Sequence, residues 1–385
     1  MLNQELIQKE FGFLGDVIYM DVSKVSLPPM RVQNAWKEYI DGYVKEYCLN
    51  YDTYFQEKLD MAKRELAKLM DVGPEEIAFT HSVSDSMTLL ANSFPFAEGD
   101  NVIITSEEHA SNAVPWLALK RFGVKTKIVE SKGGFVEADD IIAAMDERTR
   151  LVSTASVFFC SGYTVDIKKI GAECKKRGIV YCVYATQSMG LMKMRPKEWG
   201  IDYIGGGGHK ALRGTKSIGY AYCSNELAER LTPHTGSLQG VLNAGRPCVL
   251  KDFDEIKWHP GAGRLESGNY PFALIEAIGL GVSLINELGI ENIEAQIRHL
   301  EAFLREKIAD LPLRVVTPPE KNRSGMLFIY YPEGADPEEV RKILWENKVR
   351  ATVRYDYIRM TVDYYNTEEQ MEVVAKALRE ISELK

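Results

Sequence analysis

The sequence predicts an α/β protein, with a large domain on a mostly parallel seven-stranded sheet and a smaller α+β domain at the C-terminal end. Three observations predict it. From about residue 53, short apolar runs alternate with helical patterns, and strand–helix–strand alternation implies parallel pairing in one sheet. The last third changes character: two long helical patterns follow each other, and strands and helices then mix. Finally, 385 residues with 45% hydrophobic content suffice for a large core and two domains.

In chain order, Tyr54 to Leu69 reads as a helix and Glu76 to Thr80 as the first sheet strand. Helix Asp85 to Ser93, strand Asn101 to Thr105, helix Ala110 to Arg121 and strand Val124 to Val129 follow. Next come helix Asp139 to Met145, strand Arg150 to Ser156 and helix Lys168 to Arg177. Strands Ile179 to Tyr184, Tyr203 to Gly205 and Ile218 to Cys223 complete the seven. Two helices, Ala273 to Glu287 and Ile290 to Asp310, open the last third. Strands Leu313 to Thr317 and Met326 to Tyr331 follow, then helix Pro337 to Glu346, strands near Arg350 to Val353 and Tyr357 to Thr361, and helix Thr367 to Leu384. The Gly/Pro-bearing stretch Trp258 to Pro271 suggests the boundary. This gives a large domain over 15–260 and a small one over 261–385 joined by residues 1–14.

Composition narrows the function classes. Lys plus Arg is 47 and Asp plus Glu is 55, a net charge of −8 with no basic stripe, so nucleic acid is not an expected partner. No apolar run approaches the roughly 20 residues that span a membrane, and Met1 to Gly12 lacks a signal-peptide core. The six cysteines (Cys48, Cys160, Cys174, Cys182, Cys223, Cys248) are scattered without CxxC pairs. They read as reduced thiols of a cytoplasmic protein, with no metal site.

Four polar clusters fall at strand ends, where open α/β sheets bind ligands. The most informative is Gly205-Gly206-Gly207-Gly208-His209-Lys210. Glycines admit close approach and unusual dihedrals, and a lysine there can be desolvated into a nucleophile; the plain alternative is a solvated lysine after a flexible loop. Thr80-His81-Ser82-Val83-Ser84-Asp85 offers helix N-terminal N–H groups to a phosphate, or is an ordinary cap by Ser82 or Ser84. In Thr105 to Asn112, His109 could stack on a flat ring or be a surface loop residue. In Tyr184-Ala185-Thr186-Gln187-Ser188, Gln187 can offer an amide to a phenolate-type oxygen, or the stretch is only a polar strand–loop junction.

Together these clusters resemble the class V branch of the fold-type I enzymes that depend on pyridoxal phosphate (PLP), which includes cysteine desulfurases, isopenicillin-N-epimerase-like proteins and kynureninases. The resemblance runs through Ile18 to Asp21, Glu107 to Trp116, Ser161 to Ile167, Gly208-His209-Lys210, and Ile358 to Thr367 with its arginine before Tyr-Asn-Thr. It implies that Lys210 carries PLP as a Schiff base and then moves the substrate α-proton, and that His109 stacks on the ring. Gln187 would contact the ring oxygen, Val83, Ser84 and His209 would hold the phosphate, and Arg359 would clamp the substrate carboxylate with its bidentate fork. It also implies a homodimer, with Gly214-Thr215-Lys216-Ser217 and Asn269 reaching the partner subunit's cofactor. Val22 to Met30 and Gly236 to Pro247 would shape the substrate pocket.

The chain departs from the family in three places. Tyr184 stands where an aspartate usually pairs with the pyridine nitrogen. A phenol titrates near pH ~10 against ~4 for aspartate, so Tyr184 would be a neutral partner and the ring a weaker electron sink. No cysteine follows Cys248, so the nucleophilic cysteine of desulfurases is absent; Cys160 is a substitute candidate, or simply a small buried residue. Gly207 stands where many relatives have a serine or threonine touching the phosphate. The expected activity is therefore PLP-dependent and directed at a small α-amino acid, leaning to desulfurase-like C–S lyase β-elimination without the usual cysteine. Epimerisation, transamination and a non-catalytic PLP-fold binding protein are the alternatives.

Overall fold

The computed structural model describes residues 2–47, 51–235, 237–242 and 256–384. Its centre is a seven-stranded sheet in the order Ile77–Thr80, Gly219–Cys223, Tyr203–Gly207, Val180–Tyr184, Thr149–Ala155, Asn101–Thr105, Lys125–Val129. Most of these strands are buried on both faces, which is why they read as continuous apolar runs. Gly219–Cys223 pairs antiparallel with both neighbours, and every other adjacent pair is parallel. Six carboxyl ends therefore share one edge of the sheet.

The four-glycine run has a different cause from the one its composition suggests. None of Gly205 to Gly208 has a positive φ. They are small because neighbours press on them: a Cβ on Gly206 would lie 2.2 Å from the hydroxyl of Tyr220, its cross-strand partner, and one on Gly207 would lie 3.1 Å from the His209 ring.

A second sheet, ordered Thr352–Val353, Tyr357–Thr361, Met326–Tyr330, Arg314–Val315, is antiparallel and belongs to the smaller unit. Ile18–Tyr19 pairs in parallel with Val349–Arg350, so the N-terminal segment is stitched onto the C-terminal part. One core runs from Leu2 to Ile297 and takes in Tyr364 and Tyr365; the other gathers Ile18 and Met20 with Leu300 to Ile381. Along the chain the two cores meet near 297–300. Helix Phe272–Leu288 lies against helix Tyr51–Met70 of the larger unit, and Phe11 sits with Tyr364 and Tyr365 in the larger core. Among the described residues no single helix is long and apolar enough to cross a membrane.

Candidate active site

The strand-end clusters converge. Ser82 caps helix Val83–Ser93 by accepting the Asp85 N–H at 3.1 Å. Of the two serines that could cap, the structure uses Ser82, and this leaves the Ser84 hydroxyl to donate to Ser111 Oγ at 2.9 Å. Val83 and Ser84 occupy the first helical positions, whose N–H groups have no acceptor within the helix and favour an anion. The bond to Ser111 joins this cup to the segment that carries His109.

His109 caps helix Ala110–Leu117. Its Nδ1 accepts the Ser111 N–H at 3.1 Å, which puts the ring proton on Nε2. The ring lies parallel to that of Tyr184, with centroids 6.0 Å apart and planes at 11°, and meets the Phe159 ring edge-on at 5.2 Å. Burial, and then the charge of Lys210, lower its pKa, so the imidazole is neutral at neutral pH. His109 is therefore a fixed, uncharged flat surface rather than a mobile loop residue.

The residue before it carries a function the sequence reading missed. The parallel strands Asn101–Thr105 and Thr149–Ala155 stay paired only as far as Ile103 and Val152. Beyond that point the half-buried Glu108 carboxylate fills the gap, accepting the Ala155 N–H at 2.9 and 3.0 Å, the Thr105 hydroxyl at 2.9 Å and the Asn112 amide at 2.6 Å. Burial pushes its pKa up to about 7. The available signal was an acid directly after a strand end, flanked by Thr105 and Asn112.

Tyr184 ends strand Val180–Tyr184 and is buried, which raises the pKa of its phenol further. Gln187 is buried, and its amide donates to the Ser23 carbonyl at 3.3 Å. Val22 to Met30 is tied in by the Ser26 N–H to the His209 carbonyl at 3.0 Å and by the Tyr19 hydroxyl to the Val25 carbonyl at 2.6 Å. Of Gly236 to Pro247, residues 236 and 243–247 lie outside the described residues, as do Cys48 and Cys248. Burial lowers His209 to about 4, with help from Lys210, Lys216 and His109, so this imidazole too is neutral.

Lys210 is not a solvated lysine. Burial first, and then the charge of Arg359, lower its pKa to about 8, with Asp21 opposing. At pH 7 an amine of that pKa is roughly one-tenth neutral, against well under ~0.1% for an ordinary lysine. Arg359 lies on strand Tyr357–Thr361 of the smaller unit. It is only 13% exposed, and its nearest acid is Asp21 at 3.8 Å. Asp21 is itself committed to the Thr352 hydroxyl at 2.8 and 2.9 Å. Arg359 Nε and Ser23 Oγ are buried and find no hydrogen-bond partner among the described residues.

Cys160 donates its thiol proton to Glu107 at 2.8 Å, and burial followed by that carboxylate pushes its pKa to about 12. Lys216, Ser217 and Asn269 are exposed and Thr215 is half-buried. The segment bearing Asn269 passes His81, since a Cβ on Gly268 would lie 3.3 Å from His81 Nε2.

These residues fit PLP. An anion cup, a flat neutral ring face, an amine that can lose its proton and a half-buried arginine with an unused N–H match a phosphate, a pyridine, an aldehyde and an amino-acid carboxylate in turn. The class-V aminotransferase family model matches residues 18–355. A probable cysteine desulfurase of Methanothermobacter thermautotrophicus is 28% identical, with 99% of this chain and 98% of the relative covered. One from Pyrococcus abyssi is 25% identical over 98% of this chain and 97% of the relative. Two solved structures share the fold at a TM-score of 0.86 each. One is the apo cysteine desulfurase of Thermococcus onnurineus (22% identity; 99% of this chain and 98% of that one). The other is the cystine C-S lyase C-DES in complex with its reaction product cysteine persulfide (18% identity; 97% and 100%). The chain therefore belongs to the class-V aminotransferase family, PLP-dependent enzymes of fold type I that include the cysteine desulfurases.

Proposed function

We propose that this enzyme cleaves the C–S bond of a small sulfur-containing α-amino acid by β-elimination, with PLP held at Lys210 and without a nucleophilic cysteine. The observation that carries the reading is the state of the thiols. Transfer of sulfur to an enzyme cysteine needs a thiolate. Of the cysteines among the described residues, Cys160 is held protonated against Glu107, and Cys174, Cys182 and Cys223 are buried with pKa values raised by burial; Cys48 and Cys248 lie outside those residues. Sulfur would then leave as a small product, the chemistry that the name of C-DES describes for that protein.

Bound PLP supplies the electron sink for negative charge at the substrate α-carbon. The residues do the rest. Val83, Ser84 and His209 seat the phosphate, His109 covers one ring face, and Gln187 reaches the ring oxygen. Arg359 orients the substrate by its carboxylate, and Lys210 Nζ takes the α-proton. With L-cysteine the α-proton and sulfide leave, and water converts the remaining fragment to pyruvate and ammonia. Tyr184 favours a second reading: a neutral phenol at the pyridine nitrogen weakens the sink, which suits proton exchange at the α-carbon, as in an epimerase, better than transamination. The dimeric state belongs to this proposal, with Asn269 and Gly214 to Ser217 as the reaching residues, and so does a reducing, cytoplasmic location for its unpaired cysteines.

The test is to load the full chain with PLP and incubate it with L-cysteine, L-cystine and L-alanine. Pyruvate together with sulfide or persulfide, abolished by Lys210→Ala, supports the lyase. α-Deuterium exchange without pyruvate supports the epimerase, and no PLP absorbance band refutes both. Light scattering reads the oligomeric state.

A further inference from the structure

A fully buried ion pair lies beside the site. The Arg213 and Asp363 side chains are both 0% exposed. Arg213 Nη1 donates to Asp363 Oδ2 at 2.8 Å and Nη2 to Oδ1 at 2.6 Å, a bidentate fork. The guanidinium lies over three rings, with centroids at 4.8 Å (Tyr364), 5.5 Å (Tyr365) and 5.7 Å (Phe11). Arg213 holds this pose at φ +64°, in the left-handed region that disfavours any residue with a Cβ. Its Nε and the hydroxyls of Tyr364 and Tyr365 are buried without a partner among the described residues. A buried ion pair with orphaned donors and a strained backbone is a poor way to gain stability, because apolar residues of similar volume commonly do as well. The arrangement calls for another reason.

Its placement supplies one. The Arg213 N–H donates to the Lys210 carbonyl at 2.9 Å, closing the turn that carries the lysine. Asp363 follows strand Tyr357–Thr361, four residues after Arg359, and is held by the Tyr364 N–H to its Oδ1 at 2.8 Å and by its own N–H to Asn366 Oδ1 at 2.9 Å. The fork thus fastens the lysine turn of the larger unit to the arginine strand of the smaller one. We propose that Arg213 and Asp363 are positioning residues that set the separation between Lys210 and Arg359, and so the fit of the substrate carboxylate to the reacting amine. This rests on the assignment of Lys210 and Arg359 as PLP lysine and carboxylate clamp. The charges facing Lys210 are Arg359 and Asp21, with His109 and His209 neutral beside it. A displaced Arg359 therefore also releases the lysine nitrogen to hold its proton more strongly.

The experiment uses the full chain loaded with PLP and three variants: Arg213→Met with Asp363→Leu together, Arg213→Lys alone, and Arg359→Lys as the control for the clamp. Two readouts avoid turnover: the affinity for L-alanine from the change in cofactor absorbance, and the pH midpoint of that absorbance. The double variant is expected to fold, to bind L-alanine on the order of tenfold or more weakly, and to shift the midpoint upward. Arg213→Lys, which keeps the charge and loses the fork, is expected to fall between it and wild type. A folded double variant with unchanged affinity and midpoint overturns the proposal. Failure of the double variant to fold also overturns it, since the pair then serves stability alone. If Arg359→Lys leaves L-alanine affinity unchanged, the clamp assignment fails and the proposal falls with it. If Arg359→Lys weakens binding while the double variant does not, only the role of the Arg213–Asp363 pair is refuted.

Discussion

Replacing Arg359 with glutamine isolates substrate recognition from cofactor capture. The guanidinium is only 13% exposed, its Nε has no partner among the described residues, and its one nearby acid, Asp21 at 3.8 Å, is too distant for a hydrogen bond. The fork is thus available to an incoming carboxylate. Two charge-assisted hydrogen bonds to a carboxylate are worth about 1.5–3 kcal/mol each, and the glutamine amide restores about 1 kcal/mol as a neutral donor. The net loss is about 3 kcal/mol, on the order of 100-fold in kcat/KM. It falls mainly on KM if the carboxylate contact is the same in ground and transition states. Arg359→Lys keeps the charge without the fork and is expected to lose about tenfold. The assay is initial-rate pyruvate release from L-cysteine, with PLP stoichiometry read separately by absorbance. A fully PLP-loaded Arg359→Gln enzyme within about threefold of wild type in kcat/KM would refute the clamp.

Tyr184→Asp places an anion where the pyridine nitrogen is expected, and keto-acid formation from L-alanine should rise by on the order of tenfold or more; no rise would sink the electron-sink argument. Cys160→Ser should leave sulfide release from L-cysteine within about twofold, because a thiol held near pKa 12 is not the nucleophile, and a loss beyond about tenfold would return Cys160 to the chemistry. Glu108 titrates near 7 in the fold against an ordinary 4.5, so from pH 4.5 to 7 the folded state keeps a proton that the unfolded chain gives up. Its contribution to stability therefore falls as pH rises through that window and is flat above it. Denaturant melts across this range should show a negative slope that Glu108→Gln removes; an unchanged slope would mean that another group is responsible.

The sheet was legible in the sequence because most of its strands are buried on both faces and each is a short apolar run. The antiparallel direction of Gly219–Cys223 was not, since hydrophobic pattern fixes burial and says nothing of strand direction. Helices Gln4–Phe11 and Met30–Gly42 went unread. The second buries only Val32 among its residues and begins after Pro29 without a side-chain cap, so no capping signal marked its start. Lys210, His109, Gln187, Val83 and Ser84 could be singled out as candidates because strand ends in an α/β sheet are ligand positions whatever the ligand. Arg213 and Asp363 could not be read that way: they are 150 residues apart in the chain and meet only in the folded protein.

The departures at Tyr184 and Gly207 are coupled to what surrounds them, and this bears on how the site can vary. A side chain at 207 would press on the His209 ring at 3.1 Å. A serine or threonine at 207 therefore cannot be accommodated without moving His209, whose carbonyl accepts the Ser26 N–H of the Val22 to Met30 loop. At Tyr184 the ring stacks parallel to His109; burial first and then the charge of Lys210 keep His109 neutral, and burial raises the Tyr184 phenol further. The charges that act on the Lys210 amine are those of Arg359 and Asp21. In the proposed function the grip on the substrate is charged and forked, while the two parallel rings His109 and Tyr184 are themselves neutral. That division favours reactions in which a good leaving group such as sulfide shares the negative charge over those that leave the ring to hold it alone.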